Sequence, residues 1–113
     1  MKKYINKVLG LAPEKIGIND EQLVIEKEGQ ALQLEVKDIK EINFHYHAVN
    51  GVMSVWEFKD MSGDTLSVSG DAKGMDKVLL FLESKLASFN LEGFDRMLAE
   101  GDVVDSLCVW KTQ

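Results

Sequence analysis

Two histidines and one glutamate offer the most suggestive chemistry in this sequence. His45 and His47 are its only histidines and stand two positions apart, so on a β-strand both side chains point to the same face. Antiparallel pairing with the next predicted strand places Glu57 diagonal to His45, within reach of a long side chain. Two imidazoles and a carboxylate are suitable ligands for zinc or iron. The alternative is a solvated outer face that carries two histidines and needs no ligand.

The strands that would position these residues follow from the hydrophobic alternation of the central part of the chain. A three-residue loop at 49–51 places Phe44 opposite Trp56, whereas a two-residue turn would put the two sets of aromatic residues on opposite faces. A second three-residue loop at 61–63 places Trp56 opposite Val68. Each loop ends in glycine, which suits the left-handed position of a type I turn with a bulge. The sequence therefore predicts a meander with one aromatic face, whose other pairs are Ile42 with Phe58 and Phe58 with Leu66.

The longest helical pattern lies in residues 73–89. Its apolar residues recur every three or four positions, as in a helix with one apolar stripe, and Asp71 stands where a capping residue is expected. We expect this amphipathic helix to cover the aromatic face of the meander and to bury Trp56. Residues 3 to 10 fit either a helix or a strand, and their pattern favours a short helix. The remaining patterns predict strands at 16–18, 23–25, 32–36 and 41–47, and a final strand at 103–110. A second helix is predicted at 91–100, with Phe94, Met97 and Leu98 on one side.

The final strand is the best candidate for an interface. Leu107, Cys108, Val109 and Trp110 form a nearly continuous apolar run. A strand covered on both faces would explain this run, and so would a segment docked in an interface. Trp110 would anchor such an interface, with Val109 and Leu107 beside it. We expect a homodimer to which residues 103–110 contribute, and we expect the thiol of Cys108 to be buried and inert.

No catalytic or nucleotide-binding motif stands out. The histidines have no serine or cysteine partner at a suggestive position, and the glycines lack the spacing of a phosphate-binding loop. Acidic residues gather near the end of the chain without the pattern of a calcium loop, so a solvated acidic face explains them best. We therefore expect no enzymatic activity and no cofactor. The acidic residues are Glu92, Asp95, Glu100, Asp102 and Asp105.

Composition excludes several classes of protein. The chain has 113 residues, with 19 acidic and 13 basic side chains and a net charge of −6, which opposes binding to nucleic-acid backbones and anionic membranes. One cysteine excludes an internal disulfide and a multi-cysteine metal site. No stretch approaches the ~18 apolar residues of a membrane span. Asn6 and Lys7 interrupt any signal-peptide core, so we expect a cytoplasmic protein that forms one domain over residues 1–113.

A run of antiparallel strands followed by one amphipathic helix is typical of the α+β class. The chain resembles the pleckstrin-homology-like (PH-like) superfold, as a small domain of bacterial type. The resemblance covers residues 22–89 and depends on the D-I-K-E-I step from Asp38 to Ile42, the W-E-F-K-D strand and the helix. It implies a meander bent into a barrel or roll and closed by the helix at 73–89, to which this chain adds a short helix and a C-terminal strand.

Because this superfold hosts lipid, peptide and protein binding, the resemblance does not decide function. We expect a non-enzymatic interaction module that binds a protein partner or itself. The alternative is a domain that binds a small ligand or a metal on the face of His45 and His47.

Members of the superfold that bind phosphoinositides use lysine and arginine around the loop between their first two strands. The two candidate loops here, at 19–21 and 28–30, carry carboxylates and only one flanking base, Lys27. A separate patch of Lys2, Lys3 and Lys7 would supply at most ~3 kcal/mol of attraction to an anionic surface. We therefore expect no binding to membranes or phosphoinositides.

Overall fold

The computed structural model describes residues 14–48, 52–99 and 106–112. Over these residues the chain forms two antiparallel sheets and two α-helices, which confirms the predicted α+β class. The predicted helix at residues 3 to 10 lies outside the described part. The first sheet contains β1 (Lys15–Asn19), β2 (Gln22–Lys27) and β3 (Gln30–Glu35), and a 3₁₀-helical turn (Val36–Asp38) follows it. The second sheet contains β4 (Ile39–Ala48), β5 (Val52–Asp60), β6 (Thr65–Ser69) and β7 (Ser106–Lys111). Its strands lie in the order β6-β5-β4-β7. Two helices, α1 (Met75–Lys85) and α2 (Leu91–Ala99), come between β6 and β7 in the chain.

Tight turns set the registers of the first sheet. Lys27 pairs with Gln30, so two residues connect β2 to β3, and their φ angles are 53° at Glu28 and 76° at Gly29. Positive φ at both central positions defines a type I′ turn, whose twist matches that of the flanking strands. The turn at residues 20–21 has positive φ at both positions as well. The predicted tight turn at Gly29 is confirmed.

The second sheet has the predicted aromatic register. Phe44 lies opposite Trp56, and Trp56 lies opposite Val68. In the connection between β5 and β6, Gly63 has a φ of 97°, a left-handed conformation that glycine adopts without steric cost. The alternation of apolar residues was sufficient here because a shift of one residue would have exposed a complete face. The other predicted pairs, Ile42 with Phe58 and Phe58 with Leu66, are confirmed too.

The segment before α1 joins the two sheets. The backbone N–H of Ile16 donates to the carbonyl of Lys73, and the N–H of Lys73 donates to the carbonyl of Glu14, both at 2.9 Å. The next residue, Gly74, has a φ of 95°, and a Cβ built there would collide with the carbonyl oxygen of Ile16. A glycine is therefore required where β1 lies against the start of α1.

The first helix is shorter than the predicted 73–89. Gly74 is its N-cap residue and no side chain caps it, so the prediction that Asp71 caps the helix is wrong. The helix ends at Lys85, and Ser88 has a φ of 74°, which an α-helix does not contain. The predicted apolar stripe is nevertheless buried within the helix, at Met75, Val78 and Leu82.

The second helix covers the aromatic face of the second sheet. Phe94 packs edge-on against Phe44, with ring centroids 4.9 Å apart at 79°, and lies 5.2 Å from the ring of Trp56. Trp56 is 3% exposed, so its predicted burial is confirmed, although its aromatic cover comes from α2 and not from the helix predicted at 73–89. No helix in the described part of the chain is long and apolar enough to cross a membrane.

Candidate functional site

Strand β7 lies at one end of the second sheet and packs apolar side chains towards the core. Leu107 lies opposite Phe44, and Trp110 lies opposite Ile42. Opposite residues of an antiparallel pair point to the same face. Leu107 and Trp110 are therefore on the core side, where both are half-buried against the hydrophobic core.

A β-bulge interrupts this pairing at Val109. Trp110 pairs with Ile42, while Cys108 pairs with Asn43, so Val109 has no counterpart on β4. The extra residue brings side chains three positions apart to one face, which explains why the apolar run in the sequence does not alternate. Cys108 is exposed, and the prediction of a buried thiol is wrong.

An apolar groove lies between α2 and β7. Its helix side includes the buried ring of Phe94 and the half-buried side chain of Met97, and its strand side includes Leu107 and Val109. The groove has a volume of about 400 Å³, enough for one or two large side chains. Its remaining lining residues are Asn90, Gly93, Arg96 and Cys108.

Trp110, the predicted interface anchor, directly follows the groove residue Val109 in the chain and makes a contact within the protein. Its indole Nε1–H donates to the carbonyl of Ala87 at 2.8 Å. This bond connects β7 to the segment that follows α1, so it fixes the orientation of the ring. The structure thus brings the predicted residues Leu107, Val109 and Trp110 to one edge of the molecule, with the first two in the groove wall.

The opposite edge of the same sheet is covered by two side chains, from Lys27 at the end of β2 and from Glu14 just before β1. The ammonium group of Lys27 donates to the carbonyl of Ser67 at 2.8 Å. A carboxylate oxygen of Glu14 accepts from the backbone N–H of Ser69 at 2.8 Å. Both contacts occupy main-chain groups of the edge strand β6. Such covering is one way in which proteins prevent a sheet edge from pairing with another chain.

A polar network occupies the outer face of the second sheet. Asn43 donates through Nδ2 to Glu41 at 2.7 Å and to Glu57 at 3.2 Å, and His45 Nε2 lies 3.4 Å from the same Glu57 oxygen. The hydrogen bond from Asn43, with nearby lysines such as Lys59, lowers the pKa of Glu41. The predicted positions of Asn43 opposite Glu57 and of His45 within reach of Glu57 are confirmed.

The structure describes two of the three predicted metal ligands, His45 and Glu57. Among the side chains that it describes, no group of three or more histidine, cysteine, aspartate or glutamate residues lies close enough to hold a metal ion. His47 continues β4 opposite Met53, but its side chain lies outside what the structure describes. The metal site formed by His45, His47 and Glu57 therefore stays a prediction.

The predicted acidic cluster is described only in part. Glu92 and Asp95 are exposed on α2, and Glu92 lies 3.7 Å from Arg96. The other three predicted members, at positions 100, 102 and 105, lie outside the described residues. The exposed pair fits the solvated acidic face that the sequence predicts.

Sequence reasoning missed the groove and the covered edge for different reasons. The helical pattern predicts Phe94 and Met97 on one side of α2, but nothing in it indicates that β7 lies alongside. Glu14 and Lys27 act on residues 55 and 40 positions away, and no local signal marks such contacts.

No model of a protein family, no curated protein and no solved structure matches this chain.

Proposed function

We propose that this chain is a non-enzymatic interaction module that binds a protein segment along the outer edge of β7. The observation that carries the proposal is the difference between the two edges of the second sheet. Lys27 and Glu14 cover β6, whereas no strand in the described part of the chain pairs with the outer edge of β7. A sheet edge of this kind is a template for an added strand.

The groove between α2 and β7 would give specificity for the side chains of an added strand. Hydrogen bonds along an edge strand give affinity, and pockets for alternate side chains give specificity. The wall of Phe94, Met97 and Leu107 is apolar, and Arg96 is the charged residue among those that line the groove. We therefore expect a partner strand that places a leucine, isoleucine or phenylalanine side chain in the groove.

We further propose that the two sheets form the roll of the PH-like superfold. The main-chain bonds from Ile16 to Lys73 and from Lys73 to Glu14, with the bond from Lys27 to Ser67, support this arrangement. They join the first sheet to β6 and to the segment that follows it. In such a roll α1 and α2 together cover the open side, and β7 is an addition to the sheet.

The first prediction tests the groove with a charged side chain. Met97→Lys places an ammonium group in the apolar wall and should reduce binding of the natural partner roughly tenfold, as the loss of an interface anchor does. The matched control is Leu80→Lys, because Leu80 lies on α1 and is 62% exposed. The immobilised wild-type protein and both variants are compared for the proteins that they capture from cell extract.

We expect the wild type and Leu80→Lys to capture the same partner protein, and Met97→Lys to lose it. Equal capture by all three folded proteins, checked by circular dichroism, would contradict a role for the groove.

The polar face is the second candidate site, and a specific contact favours it. His45 Nε2 and Glu57 Oε1 are 3.4 Å apart on a face that the core does not use. A half-buried imidazole beside a carboxylate can bind a small polar ligand or contribute to a metal site with His47. This alternative function requires a ligand that contacts His45.

A further inference from the structure

We propose that the strand added at β7 is the β7 strand of a second copy, paired antiparallel about a twofold axis between Cys108 and Val109. This inference rests on the proposed function and names its partner. The symmetric pairing places Ser106 opposite Lys111 of the second copy and Leu107 opposite Trp110 of the second copy. Each pair occurs twice because of the symmetry.

The direction of the main-chain groups fits this register. The N–H of Thr112 donates to the carbonyl of Lys40, so Thr112 faces β4 and the preceding Lys111 directs its N–H and carbonyl to the outer edge. On the other side of the bulge Leu107 pairs with Phe44, which has the same parity on β4 as Lys40. Leu107 therefore faces β4, and Ser106 faces the outer edge.

Ser106 and Lys111 thus present their main-chain groups on the same edge, and the symmetric register sets them opposite each other. An antiparallel pair of this kind exchanges two hydrogen bonds. The two symmetry-related pairs give four such bonds, at the two ends of the added ladder.

The bulge favours a second copy over an ordinary strand. Because of Val109, four residues from Leu107 to Trp110 cover the length that three residues, from Ile42 to Phe44, cover on β4. A regular strand that pairs with such an edge leaves one residue of β7 without a counterpart, as β4 does. A second copy has the same extra residue at the same place, so in the symmetric register each residue from Ser106 to Lys111 has a counterpart.

The faces and charges of the edge are also self-complementary. Leu107 and Trp110 both lie on the core side, so their pairing extends the apolar face across the axis. Residues 106–112 contain no carboxylate and one base, Lys111. A lysine at a sheet edge usually discourages pairing, but in this register each Lys111 lies opposite a neutral serine.

Charge substitution at Ser106 tests the register. Ser106 is exposed, so the monomer should tolerate either charge. Ser106→Lys sets two lysines opposite each other and should raise the dimer dissociation constant about fivefold, whereas Ser106→Glu should lower it about fivefold. Ser106→Lys combined with Lys111→Glu should restore the wild-type value. Sedimentation equilibrium measures these constants.

The single cysteine allows a test on the wild-type protein, in which no substitution can disturb folding. Any thiol–thiol cross-link in the wild type joins two chains through Cys108, which lies next to the proposed axis. A short bis-maleimide should yield a covalent dimer at a protein concentration above the dissociation constant. The control, Cys108→Ser with Lys77→Cys, carries its thiol on the exposed face of α1 and should yield none.

A wild-type chain that stays monomeric up to millimolar concentration would overturn the inference. So would a dimer whose dissociation constant responds equally to Ser106→Lys and Ser106→Glu. Either result leaves the proposed function to its own test, since Met97→Lys can still abolish the capture of a different protein. Conversely, Met97→Lys could leave capture unchanged while the dimer still responds to the charge at position 106. That result would contradict the role of the groove and support the dimer.

Discussion

At the residue scale, the sequence predicted which residues lie on the outer face of the second sheet, but not which residues of the edge strand β7 are exposed. The pairing of Asn43 with Glu57 follows from alternation and loop length, because burial of the aromatic face leaves only one register. At β7 the same reasoning placed Cys108 inside, and the structure places it in solvent. The difference is the bulge at Val109, which breaks the period of two. Nothing in the composition of the apolar run marks it.

The polar network leads to a prediction about metals. Protein zinc sites use at least three protein ligands, and the described part of the chain brings together only His45 and Glu57 as ligand types in direct contact. We expect no saturable binding when chelator-free protein is titrated with Zn²⁺ in the micromolar range by isothermal calorimetry. The opposite result, binding that disappears in His45→Ala and persists in the control Glu41→Gln, would favour the ligand-binding function.

At the scale of elements, the interior of α1 was predictable and both of its ends were not. The apolar period identified Met75, Val78 and Leu82 as the buried stripe. The start of the helix depends on Gly74, which has a φ of 95° and lies so close to the carbonyl of Ile16 that a Cβ would collide with it. This contact joins residues almost sixty positions apart, so the local capping rule that selects Asp71 fails. The sequence period describes packing, whereas the helix ends depend on tertiary contacts.

The packing of α1 can be measured directly. Leu82 is fully buried, and Leu82→Ala should reduce the free energy of unfolding by ~2–5 kcal/mol through lost burial and the cavity that remains. Leu80→Ala is the matched control two positions away, because Leu80 is 62% exposed and its truncation should change stability by less than ~0.5 kcal/mol. Urea unfolding followed by tryptophan fluorescence gives both values. Equal stability of the two variants would mean that the stripe of α1 is not packed.

At the scale of the whole molecule, the arrangement of charge and of sheet edges determines which partners the chain can accept. The net charge of −6 was evident from composition, as was the order of strands and helices along the chain. Which edge of the second sheet is covered was not, because Glu14 and Lys27 reach β6 only after the two sheets have come together. Long-range contacts of this kind decide how an α+β chain exposes its surface.

The same contacts sharpen the prediction about phosphoinositides. Lys27 is the base beside one candidate loop, and its ammonium group already donates to the carbonyl of Ser67 at 2.8 Å. The first turn of the described chain, at Asp20 and Glu21, carries two carboxylates and no base. A phosphorylated headgroup needs several positive groups directed at its oxygens, and a net charge of −6 adds repulsion from an anionic bilayer.

We therefore expect no co-sedimentation with phosphoinositide-containing liposomes at physiological salt, and no difference between the wild type and Lys27→Glu. Neutral liposomes serve as the control for nonspecific adsorption. Binding that weakens with salt and is lost in Lys27→Glu would mean that Lys27 leaves Ser67 to contact a headgroup. Lys27 would then belong to a membrane site, and of the two covering side chains Glu14 alone would remain on the edge of β6.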